Sequence, residues 1–86
     1  MYICVEKAKE VFNVNGESLG KGSDSALYYL KDLGRRRIYR QTYPTPQYKG
    51  LKLFTYKRKE NAQKLCDYTN SIFNSKYEVF EIKEKE

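Results

Sequence analysis

One stretch of this 86-residue chain has a period that admits a single reading. Ala62, Leu65, Cys66, Thr69, Ile72 and Phe73 recur at i, i+3, i+4, i+7, i+10 and i+11, one continuous face of a helix over about 59–73. Gln63, Lys64, Asp67, Asn70 and Ser71 form its polar face, and Asn74-Ser75 ends it. Its start is electrostatically unfavourable. Lys57-Arg58-Lys59 offers no side-chain acceptor and sets cations at the positive end of the helix dipole.

What surrounds that helix reads mainly as strands. Residues 2–8 and 51–56 are the apolar ones, rich in β-branched and aromatic side chains. Residues 35–43 and 76–82 carry more charge, which suits sheet edges. Asn15-Gly16 tolerates positive φ, so Val11–Val14 can form a hairpin with Ser18-Leu19. A second helix is predicted over about 24–33, capped by Ser23 or Asp24, with Ala26, Leu27, Leu30 and Leu33 as its stripe and Gly34 at its end. Lys83 to Glu86 reads as a solvated tail.

The resulting order is strand, helix, strand, strand, helix, strand. The predicted fold class is α+β: a small βαββαβ, ferredoxin-like (split βαβ) antiparallel sheet with two helices on one face and an optional hairpin before the first helix. The length suits a single domain spanning 1–86. The first residues lack a charged segment followed by a long apolar run, and no apolar stretch approaches the ~18 residues that span a bilayer. The expectation is a cytoplasmic protein that makes no use of a membrane.

Charge is distributed unevenly. Residues 1–22 balance three Lys against three Glu, and residues 60–86 set four Lys against six acids. Residues 23–59 carry ten cations against Asp24 and Asp32. Four of the five arginines, Arg35, Arg36, Arg37 and Arg40, fall within six residues. Clustered Arg suits bidentate recognition of phosphate or carboxylate better than Lys does. An anionic partner for this block is the expectation.

Catalytic chemistry has little to draw on. The chain has no His and no Trp. Gly16 to Ser23 fails as a phosphate-binding loop, because three residues rather than four separate Gly16 from Gly20 and Gly22 interrupts the Lys-Ser pair. Cys4 and Cys66 sit in apolar patterns, and two thiols without His do not make a four-ligand zinc site. Both are expected as buried, reduced thiols. No enzyme, no cofactor and no metal site is expected.

Residues 49–56 share Lys49, Gly50, Phe54 and Tyr56 with the signature strand of RNA-recognition motifs. Leu51 and Leu53 occupy the positions that would stack on bases, so this is shared strand chemistry. If those leucines face the helices, Lys52, Phe54 and Tyr56 lie on the open sheet face. Residues 35–59 are then a basic, Tyr-rich hairpin. Arg35, Arg36, Arg37, Arg40, Lys49, Lys52, Lys57, Arg58 and Lys59 would meet phosphates, and Tyr39, Tyr43, Tyr48 and Tyr56 would stack on bases. The partner expected first is nucleic acid or a nucleoprotein complex. The alternative is an inhibitor or adaptor of the kind carried by phages and mobile elements, docking the same Tyr/Arg surface on an acidic groove of a host protein. Either fits a monomer or a weak homodimer formed through an edge strand.

Overall fold

A computed structural model describes residues 1–83. In chain order it has β1 (Tyr2–Glu6), β2 (Glu10–Phe12), β3 (Ser18–Lys21), β4 (Ser25–Leu30), a 3-10 turn (Lys31–Arg36), β5 (Tyr39–Thr42), β6 (Leu51–Leu53), α1 (Lys59–Phe73) and β7 (Glu78–Glu81). The protein is α+β, with an antiparallel sheet and one main helix. Among the described residues no helix is long and apolar enough to cross a membrane. The expected tail lies outside the described residues, Lys83 apart.

The main correction concerns 24–33. Residues 25–30 form a central strand, and the βαββαβ order is not the one the chain adopts. Ala26, Leu27 and Leu30 do match a helical stripe, but Ser-Ala-Leu-Tyr-Tyr-Leu is also apolar on both sides of a strand. Ala26 and Tyr28 are buried on one face, while Leu27 packs on the other. A strand covered on both faces reads as an unbroken apolar run, and over six residues period 2 and period 3.6 cannot be told apart. Asp24 accordingly caps no helix. Its Oδ1 accepts a 2.6 Å hydrogen bond from Ala8 N, and its carbonyl accepts one from Tyr43 N at 2.8 Å.

The strand order is β5-β4-β1-β7, so the two charge-rich segments are the edges, as expected. Strand β6 also pairs with β4. Tyr28 pairs with Tyr39 of β5 and with Leu53 of β6, so the two strands occupy opposite edges of β4. Residues 35–59 therefore form no hairpin. Beyond the Val5–Ala26 pair, β1 and β4 diverge, and residues 53–56 fill the fork. Phe54 N donates to Leu27 O at 3.0 Å, and Tyr2 and Tyr56 exchange backbone hydrogen bonds of 2.8 and 2.9 Å. Strand β7 covers the other edge of β1 from Tyr2–Glu81 to Val5–Glu78.

Helix α1 spans the residues expected of it and has no side-chain cap at Arg58. It lies across β1 and β7. Its buried contacts are Ala62, Cys66 and Thr69, with Leu65 packed beside them. Ile72 and Phe73, expected in the core, are 51% and 41% exposed, the buried stripe of α1 ending at Thr69. Asn74 closes the helix in the left-handed conformation, φ 50° and ψ 45°. Asn70 then clasps the chain leading into β7: its Nδ2 donates to Tyr77 O at 3.0 Å and its Oδ1 accepts from Tyr77 N at 2.7 Å.

Two apolar clusters result. On the α1 side Cys4, Leu27, Phe54, Ala62, Cys66 and Tyr77 are buried together. On the far side Ile3, Val5, Ala26 and Tyr28 are buried with no helix above them. That cover comes from Tyr39, Tyr43, Leu51, Leu53 and Ile82, so the connection 43–50 crosses this face on its way from one edge of β4 to the other. The hairpin of β2 and β3 forms as the Asn-Gly turn predicts. It stands away from the sheet with Val11, Phe12, Val14 and Leu19 exposed.

Candidate functional site

Strand parity sorts the expected contact residues onto two faces. Leu27 faces α1, and residues directly opposite in an antiparallel pair share a face. Arg40 is opposite Leu27 and Lys52 is opposite Tyr29, so both lie on the α1 side. Phe54 and Tyr56 also pack there. Leu51 and Leu53 pack in the far cluster, which reverses the parity read from the sequence. Tyr39 and Tyr43 join them on the far side.

The α1 side holds an aromatic group beside α1, with Phe54 buried and Tyr29 and Tyr56 half-buried. The rings of Tyr29 and Phe54 are 4.9 Å apart and tilted by 56°. Those of Phe54 and Tyr56 are 6.5 Å apart and nearly parallel. The 3-10 turn bends at Gly34, where φ is 65°, and this brings the Arg35 guanidinium over all three rings. It lies 5.2 Å from Tyr29, 5.5 Å from Tyr56 and 5.9 Å from Phe54. A guanidinium over an aromatic face is held by the ring quadrupole. Burial raises the Tyr56 pKa above its usual value, and the nearby Arg35 charge works against that rise. Arg40 is placed similarly, 4.4 Å from the Phe73 ring at the carboxyl end of α1. These two arginines are thus partly engaged within the fold.

The other cations reach solvent. Arg36 and Arg37 line an open depression with Asp32, Leu33 and Gly34. Lys49 and Lys52 are exposed, as are Lys57, Arg58 and Lys59 around the first turn of α1. Among the described residues the only ion pair is Lys7–Asp24, at 4.0 Å. None of the ten cations between 31 and 59 is neutralised by a carboxylate in this way.

On the far face Leu30, Tyr39, Tyr48, Lys49 and Leu51 line an open pocket of about 410 Å³. Tyr48 is 64% exposed there. The sequence points to Tyr39, Tyr48 and Lys49 but not to Leu30 and Leu51, nor to Tyr29 of the other cluster; Phe54, expected on an open sheet face, is buried. The signal for Tyr29 was present in the Tyr28-Tyr29 pair, which on a strand must divide between two faces.

Both cysteines are free and buried. Cys4 Sγ donates to Ala62 O at 3.1 Å. The adjoining Cys66 thiol, and then burial, push Cys4 far above the ordinary thiol range. Contact with Cys4 lowers Cys66 instead. No group of three or more metal-ligating side chains occurs among the described residues.

No family model, no curated protein and no solved structure matches the chain.

Proposed function

We propose that this chain is a non-enzymatic binding protein that holds single-stranded nucleic acid, free or within a nucleoprotein complex. The observation that carries the reading is the field of ten cations at 31–59, unpaired with carboxylates among the described residues and interleaved with tyrosines, of which Tyr48 is 64% exposed. Unpaired cations exchange their counterions for phosphates, and flat rings offer stacking to any unpaired base. Arg36, Arg37, Lys49, Lys52, Lys57, Arg58 and Lys59 are the phosphate contacts. Arg35 and Arg40 mainly brace the aromatic rings beside them. No cofactor and no catalytic group enters this reading.

The test is fluorescence anisotropy of the full chain with a labelled single strand over a range of salt. Log affinity should fall linearly with log salt, by about 0.7 per phosphate contact. Absence of salt-dependent binding at low ionic strength overturns the reading.

A second reading, docking on a protein partner, is favoured by the β2–β3 hairpin. Its exposed Val11, Phe12, Val14 and Leu19 are better suited to a protein than to phosphates.

A further inference from the structure

The pocket on the far face has a defined construction. Leu30 is its floor, at the end of β4. Leu51 lies opposite Leu30 on one edge, and Tyr39, opposite Tyr28, lies two positions back along β4 on the other. The crossing connection contributes Tyr48 and Lys49. Four of the five lining side chains are thus aliphatic or aromatic, and one is a cation. Tyr48 stacks on no other ring among the described residues, although neighbouring aromatics pair elsewhere. Arg37, two residues before Tyr39, is exposed and lines the depression that holds Arg36, so a second cation lies close by along the chain. The volume falls in the ~300–1,000 Å³ range of small-molecule sites.

We infer that this pocket seats one unpaired nucleobase, with the flanking phosphates on Lys49 and Arg37. The inference rests on the nucleic-acid reading above and adds to it the position at which a base is held. A flat ring fits a site offering two tyrosine rings and two leucines, and Tyr48 gains the stacking partner it lacks. Charge complementarity selects the occupant. An apolar peptide side chain would fill the same volume but would leave Lys49 and Arg37 without counter-charge. A base within a duplex is stacked and cannot enter, so the site requires a single strand.

The experiment compares a short poly-thymidine strand with a length-matched abasic strand, which keeps the phosphates and lacks the bases. Wild type should bind the base-bearing strand on the order of ten-fold more tightly, the usual effect of one stacked base. Tyr48→Ala should lose that advantage while binding the abasic strand as wild type does, and Tyr48→Phe should keep it. Tyr48 is largely exposed, so its truncation leaves the core intact. If wild type binds both strands equally, or Tyr48→Ala keeps the preference, the pocket assignment is overturned while backbone binding stands. If neither strand binds, the nucleic-acid reading fails and this inference fails with it.

Discussion

Arg40 lies 4.4 Å from the centre of the Phe73 ring, tying the edge strand β5 to the last turn of α1. The contact joins two elements with little else between them. It also places a cation near the negative end of the helix dipole. Arg40→Ala should lower stability by about 0.5–1 kcal/mol, the usual range for an exposed cation–π pair. Urea unfolding of wild type, Arg40→Ala and Arg40→Lys measures it. An unchanged midpoint in Arg40→Ala would show the contact to be energetically idle.

Arg36 and Arg37 engage no ring and no carboxylate among the described residues, so they separate binding from folding cleanly. The double variant Arg36→Ala/Arg37→Ala should unfold at the wild-type denaturant concentration. Its plot of log affinity against log salt should flatten by about 1.4, two contacts' worth on a single strand. An unaltered slope would take these two residues off the phosphate path.

Thr69 is completely buried, and its hydroxyl has no hydrogen-bond partner among the described residues. An orphaned buried hydroxyl carries its desolvation cost without return. Thr69→Val keeps the shape and removes that cost, so it should stabilise the fold by about 1 kcal/mol. A thermal or urea midpoint at or below wild type would mean the hydroxyl finds a partner in solution.

Alkaline pH should destabilise the protein. Burial raises Tyr28, Tyr56 and Tyr77 above the ordinary 10.0, and Cys66 together with burial raises Cys4 above 9.0. A raised acid holds its proton more tightly in the folded chain than in the unfolded one. Its stabilisation is therefore complete below the unfolded value and lost as pH climbs beyond it. Cys66, which is lowered, acts in the opposite direction. With four groups against one, the urea midpoint should hold to about pH 9 and fall above it. Tyr77→Phe removes one raised group and should blunt the fall, although Ser25 loses its 2.6 Å partner. A midpoint that rises between pH 9 and 11 contradicts the assignment.

The sequence was most legible where one period dominated. Helix α1 could be placed to the residue because fifteen positions sample four turns. The edges were legible too, since charge across 35–43 and 76–82 marks segments that cannot be covered on both sides, although Arg35 and Arg36 lie in the 3-10 turn before β5. What failed were short segments. Six residues of β4 satisfied two periods at once, and only burial on both faces decided between them. The site failed for a related reason. Residues 35–43 and 51–56 look like hairpin partners because they are neighbours in sequence, yet each pairs with β4. One misplaced pairing inverted the face assigned to Leu51 and Leu53 and divided the four stacking tyrosines between two surfaces. The cation field needed no topology and was legible from composition alone. Its ion pairing, and the commitment of Arg35 and Arg40 to rings, required coordinates.

Strand β7 pairs along its whole length with β1, and Met1 and Ile82 exchange backbone hydrogen bonds of 3.0 and 2.8 Å. For a ribosome this is an awkward arrangement. Strand β1 emerges well before β7, so Ile3, Cys4 and Val5 wait without that partner until residues 78–81 have left the exit tunnel. Closure of so long a loop is slow compared with local helix formation. The nascent chain thus passes through a period in which a short, apolar strand is open to any neighbouring polypeptide. Expression yield and solubility should therefore respond to substitutions in β7 that have little effect on the finished fold.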